Sequence, residues 1–182
     1  MNKKKILIGL GIVAGVLLLL VLAMHFVGKL GSFRGTSFYK YRDYAYTGAY
    51  YDLWKLPDGA EDFRFQCTNL GLGAQSYAGF TLTGEDYDTF VLSLLDLEEP
   101  SDLAKEKFIG KKVSDTYYYY NDGGYSGSTG FPKKKIRYTA KGDISDFTIL
   151  YYNAYRGSRI NAGAVLVNPA TGRVVIYCEG SN

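Results

Sequence analysis

From Ile6 to Val27 the chain reads ILIGLGIVAGVLLLLVLAMHFV, a run without Asp, Glu, Lys or Arg that follows directly on Lys3, Lys4 and Lys5. Water solvates such a run poorly. As a helix rising about 1.5 Å per residue it reaches roughly 33 Å, enough to cross a hydrocarbon core of about 30 Å. The run therefore predicts a basic tail at 1–5, a transmembrane helix at 6–27, a short linker at 28–36 and one extracytoplasmic domain at 37–182. A cleaved signal peptide has a shorter apolar core and a small-x-small exit. Leu22-Ala23-Met24-His25-Phe26 offers no such exit, so a retained signal-anchor that contacts membrane lipid through 6–27 is expected.

Basic residues flank the run on both sides, with Lys29, Arg34, Lys40 and Arg42 following it, so positive charge alone does not orient it. Size does: long C-terminal domains cross bilayers largely regardless of charge, whereas the opposite orientation exports a short tail of lysines. A single-pass protein of the cell membrane with its C-terminal domain outside the cytoplasm follows. Gly11 and Gly15 stand at small-xxx-small spacing, which is either the helix-helix contact of a dimer through the transmembrane helix or an idle motif of the kind common in glycine-bearing spans.

The formal net charge of +3 is accounted for by the three lysines before the run, which leaves the rest of the chain formally neutral. A nucleic-acid binder needs an excess of positive charge, so that class is excluded. Asn-x-Ser/Thr is absent, which is compatible with a bacterial envelope protein.

Beyond the run the patterning predicts an α+β domain: a mostly antiparallel β-sheet with one or two packed helices. Strands are expected at Phe38 to Tyr41, Tyr44 to Tyr46, Tyr50 to Leu56, Phe63 to Thr68, Tyr77 to Leu82, Asp115 to Tyr120, Lys135 to Ala140, Asp146 to Tyr155, Ala162 to Val167 and Arg173 to Glu179. Pro57-Asp58-Gly59 and Asn168 to Gly172 are turn signals, the second placing Gly172 at a left-handed position. Thr83 precedes Tyr87, Phe90, Val91, Leu94 and Leu95 at helical spacing, with Glu85 and Asp86 in the first turn, which predicts a helix lying across one face of the sheet. A shorter helix is expected at Asp102 to Phe108, and the polar stretch Asn121 to Gly130 is expected to be mobile.

Chemistry is limited by what is missing. The single histidine, His25, falls in the apolar run, so Ser-His-Asp, Cys-His and H-E-x-x-H sites are excluded from the external domain. Two cysteines cannot form a four-cysteine zinc site, and no glycine motif has phosphate-cradle spacing. No metal or other cofactor is expected. Cys67 and Cys178 both fall on apolar strand faces. They form either a candidate disulfide, worth roughly 4 to 5 kcal/mol in the chain-entropy model, or two buried free thiols. The acidic residues Glu85, Asp86, Glu98 and Glu99 are explained by a helix start and a solvated loop.

The positive signal is aromatic. The chain has 18 Tyr, all beyond residue 38. Tyr39, Tyr41, Trp54, Tyr117 and Tyr119 are the candidate ligand-binding residues: on strands, their rings would build a platform for a glycan, a peptide or an envelope protein, or else brace cross-strand pairs. The expected function is thus a single-pass, membrane-anchored extracytoplasmic binding or interaction domain without enzymatic activity. The alternative is an envelope enzyme using a carboxylate pair or Ser-Lys chemistry.

Overall fold

Period-two alternation is clearest in Glu61–Asn69, where Phe63, Phe65 and Cys67 are buried on one side and Arg64 and Gln66 point to the other. The computed structural model describes residues 11–23, 31–45, 55–69, 73–97, 99–113, 118–120, 127–129, 133–156 and 160–180. The strands are β1 (Ser32–Gly35), β2 (Glu61–Asn69), β3 (Ala74–Thr81), β4 (Tyr118–Tyr120), β5 (Gly127–Thr129), β6 (Thr148–Arg156), β7 (Ile160–Asn168) and β8 (Arg173–Gly180). Helices are α1 (residues 11–23), α2 (Phe38–Tyr44), α3 (Gly84–Ser93), α4 (Asp102–Lys107) and α5 (Lys133–Ala140), with a 3₁₀ turn at Leu94–Asp96.

Six strands form one antiparallel sheet in the order β1-β2-β3-β8-β7-β6, while β4 and β5 pair separately. Two meanders, β1-β2-β3 and β6-β7-β8, join where β3 meets β8, with Tyr77 opposite Tyr177. Helices cover both faces, giving an α+β domain of three layers. On the first face Phe63, Phe65, Phe80, Leu82, Val165 and Ile176 pack with Tyr41, Phe90 and Leu94. On the second, Tyr77, Leu166, Val175 and Tyr177 pack with Phe108, Ile136, Ile144 and Phe147.

The expected helix over Tyr87 to Leu95 is α3 with its 3₁₀ extension, and Phe90 and Leu94 are its buried residues. Leu95, predicted to face the core, is instead 79% exposed, because the tighter final turn rotates it away from the helical stripe. The shorter helix is α4, capped by Ser101, whose side chain accepts from the Ala104 N–H. Strands β2, β3, β6, β7 and β8 lie where alternation placed them. Gly172 has φ +65° in the β7–β8 turn, and a Cβ there would collide with the Leu82 carbonyl.

Two expected strands, Phe38 to Tyr41 and Lys135 to Ala140, are helices, and Tyr44 and Ala45 of a third, Tyr44 to Tyr46, end the first of these helices, with Tyr46 outside the described residues. Phe38 to Tyr44 contains rings at both alternating and three-residue spacing, and burial selected the second: Phe38, Tyr41 and Ala45 reach the first cluster from one side of α2, and Ser37 caps its start. Lys135 to Ala140 lies in α5, where Ile136, Thr139 and Ala140 are buried at i, i+3 and i+4. Within the expected linker, Ser32–Gly35 forms the edge strand β1 on β2. Gly127–Thr129, within the stretch expected to be mobile, pairs with Tyr118–Tyr120. The strand expected from Tyr50 falls mostly outside the described residues, and its described end, at Lys55 and Leu56, is not a strand.

Among the described residues no helix is long and apolar enough to cross a membrane. Helix α1 is described over 11–23, and the remainder of the predicted 6–27 span lies outside the described residues, His25 included. A Cβ on Gly11 or Gly15 would meet nothing within 4 Å.

Candidate functional site

At the rim of the second face, residues far apart in sequence converge on the start of β8. A β-bulge interrupts the β2–β3 register between Glu61 and Arg64, and Asp62 occupies it with φ +50°. Left-handed backbone of this kind suits glycine best, and aspartate tolerates it better than most residues. Across from it, α5 ends in a wrapped turn: the Gly142 N–H donates to the Arg137 carbonyl, and Lys141 adopts φ +63°. This is the position where helices usually place glycine. Asp62 and Lys141 are the two non-glycine residues of positive φ among the described residues, and their side chains meet, Lys141 Nζ lying 2.6 Å from Asp62 Oδ2.

Arg173 ties the two segments together. It is 3% exposed. Its Nε donates to the Thr139 carbonyl at 2.9 Å and its Nη2 donates to the same oxygen, while Nη1 donates to the Asp62 carbonyl at 2.9 Å and to Thr81 Oγ1 at 3.2 Å. The guanidinium thus closes the end of α5, where carbonyls lack helical partners, and pins the bulge of β2. Gly79 makes the approach possible, since a Cβ there would collide with the Thr139 carbonyl. Burial lowers the Arg173 pKa to about 10, opposed by the nearby Asp62 carboxylate, so the side chain remains cationic at neutral pH.

Asp62 faces three cations, with Arg64 Nε 3.4 Å from Oδ1 and Arg173 Nη1 3.6 Å from Oδ2 besides Lys141. The hydrogen bond from Lys141 holds its carboxyl below the usual range; partial burial opposes this, and the charges of Arg64, Arg173 and Lys141 assist it. Behind this cluster lies a cavity of about 410 Å³ lined by Lys141 and Arg173, by Thr81, Asn168, Thr171 and Asp143, and by Ala140 and Phe147. Its size falls within the range of small-molecule sites. Asp143 Oδ1 accepts from the Ser145 N–H and hydroxyl. Asn168 Oδ1 accepts from the Ala170 N–H.

The aromatic platform is not assembled among the described residues. Tyr39 is 76% exposed whereas Tyr41, on the same short helix, is buried in the first cluster. Trp54 and Tyr117 lie outside the described residues, and Tyr119 sits on β4 of the separate hairpin. Both cysteines are buried and no disulfide joins them. Ser76 separates them in register, opposite Cys67 on one side and Cys178 on the other. Two strand spacings amount to roughly 9 to 10 Å between their Cα atoms, beyond disulfide reach. With no charge partner nearby, burial pushes the Cys67 thiol up to about 12. Of the acidic residues expected at a helix start and a solvated loop, Glu85 and Asp86 occupy the first turn of α3, Glu99 pairs with Lys105, and Glu98 is outside the described residues.

Sequence reasoning did not single out Asp62, Lys141 or Arg173. Arg173 carries a readable signal, a cation at the same strand parity as the buried Val175 and Tyr177. Asp62 carries none, because a bulge breaks parity at that point. No family model matches the chain, and neither a curated protein nor a solved structure matches it.

Proposed function

We propose that the chain is a bitopic membrane protein whose external domain binds a small ligand in the cavity behind Arg173, without catalysing a reaction on it. The observation that carries the anchor is α1. Leu17, Leu18, Leu19, Leu20 and Val21 are each more than half exposed, while helices already cover both faces of the sheet. Burying side chains of this size is worth about 1.5 to 3 kcal/mol each. A domain with no face left to offer directs that gain to lipid, and the sequence from Ile6 to Val27 is long enough to take it.

The cavity supports binding over catalysis. Its described lining contains neither His nor Cys, and its carboxylate, that of Asp143, is held by Ser145. A carboxylate pair across a reacting group, which hydrolysis of a glycosidic bond requires, has no partner for Asp143 in that lining.

Carbonate extraction of membranes from cells expressing the full-length chain, combined with protease treatment of intact cells, tests the anchor and its orientation. The chain is expected to stay in the membrane pellet and to be cut beyond Lys29. Release into the soluble fraction at neutral pH without detergent overturns the anchor, and full protection of the domain overturns its external placement.

A further inference from the structure

We propose that the cavity selects small organic oxyanions, a carboxylate or a phosphate monoester on a compact body, with Lys141 receiving the charged end. This rests on the reading of the cavity as a binding site and adds the class of ligand.

Charge balance is the first argument. Arg64, Lys141 and Arg173 converge on the single carboxylate of Asp62, and two of these cations also line the cavity. The opposing acid in the wall, Asp143, already accepts two hydrogen bonds from Ser145. An excess of positive charge therefore faces a space bounded by protein on several sides, where ionic attraction is stronger than in open water.

The second argument is that Lys141 can change partners. Arg173 spends its donors on the Thr139 and Asp62 carbonyls and Thr81, so it supplies fixed charge and acts as a strut. Lys141 is 46% exposed and held by one carboxylate oxygen. When its ammonium turns to an incoming oxyanion, Asp62 keeps Arg64 and Arg173, so its half-buried carboxylate is not left without a cation.

The backbone supplies the third. Lys141 stands at φ +63° although the next residue is Gly142. A left-handed conformation costs a non-glycine residue roughly 1 kcal/mol. Glycine at 141 relieves that strain but forfeits the bond to Asp62, so the position trades backbone ease for a charge, as strained residues at ligand sites do. Ala140 and Phe147 provide an apolar wall for the body of the ligand, and Thr81, Thr171 and Asn168 provide polar edges.

The test uses the full-length chain in lipid nanodiscs and isothermal titration calorimetry with four probes: benzoate, phenyl phosphate, inorganic phosphate and benzyl alcohol. Benzoate or phenyl phosphate is expected to bind, more weakly as salt rises, and the tighter of the two identifies the oxyanion. Lys141→Gly is expected to weaken that binding at least tenfold while leaving the melting temperature unchanged or raising it, an outcome that a purely structural lysine does not produce. Lys141→Met, which keeps the bulk and removes the charge, is expected to lose affinity equally. Benzyl alcohol binding as tightly as benzoate overturns the charge selection but leaves a binding cavity in place. Inorganic phosphate binding as tightly as phenyl phosphate overturns the role of the apolar wall. Undiminished affinity in Lys141→Gly overturns the assignment of Lys141, and no heat from any probe overturns the binding cavity itself.

Discussion

The two faces of the same six strands are closed by different physics. On the first, rings meet rings: Phe38 and Tyr41 abut Phe63 edge-on at 5.4 and 5.7 Å, and Phe80 meets Phe90 at 5.6 Å, nearly perpendicular. On the second, an apolar cluster is present too, but the end of α5 is held by the buried Arg173 and its carbonyl partners. Apolar packing is non-directional and tolerates small slides, whereas a guanidinium fork fixes both distance and angle. Polar groups gathered around such a fork leave irregular space at the rim. That is where the cavity lies, at the edge of the second face.

Four substitutions break or sharpen this contrast. Phe80→Ala, on the packed face, is expected to be the most damaging at about 3 to 5 kcal/mol, through lost transfer energy and the void left behind; urea denaturation of the full-length chain measures it. Arg173→Met is expected to cost about 2 to 4 kcal/mol. It strands the Thr139 and Asp62 carbonyls, while removing a buried charge offsets part of the loss. If Arg173→Met costs nothing, the second face is also closed by packing alone and the contrast fails.

Asp62 sharpens it through pH. Its folded pKa is lowered, so its contribution is fully present above the ordinary carboxylate range and is lost as pH falls below about 4 through the folded value. Asp62→Asn is therefore expected to cost about 1 kcal/mol at neutral pH, discounted for partial exposure, with the gap to the wild-type chain closing in acid. A gap that stays constant from pH 7 to pH 3 contradicts the ion-pair account. The smallest effect is a gain. Ser76 is 1% exposed and its hydroxyl has no partner among the described residues, so Ser76→Ala is expected to stabilise by up to about 1 kcal/mol. A loss of stability there would mean that the first face also relies on a polar contact.

Much of the sheet is legible in the sequence. In β2 the buried side is apolar at every second residue, which fixes how the strand sits, while β7 and β8 are apolar on both sides and read as the near-continuous runs of strands covered on both faces. The segments read wrongly, Phe38 to Tyr44 and Lys135 to Ala140, are short and carry apolar residues at both strand and helix spacing. Their choice of helix depends on the cluster each one meets, so local pattern did not contain it. The described pair of the aromatic platform, Tyr39 and Tyr41, separates for a related reason: the two share a side on a strand and diverge on a helix.

The chain's own sequence determined an apolar run long enough for a bilayer, the strand parity of most of the sheet, the buried cysteines, and the lack of histidine-based chemistry in the domain. These depend on composition and short-range spacing, which survive in one dimension. Only the tertiary structure decided that Asp62, Lys141 and Arg173 meet. A bulge in β2, a left-handed turn after α5 and a glycine at position 79 bring them together. Each is a local exception to the regular periods that sequence patterning reads, and electrostatic attraction between distant segments has no period to detect.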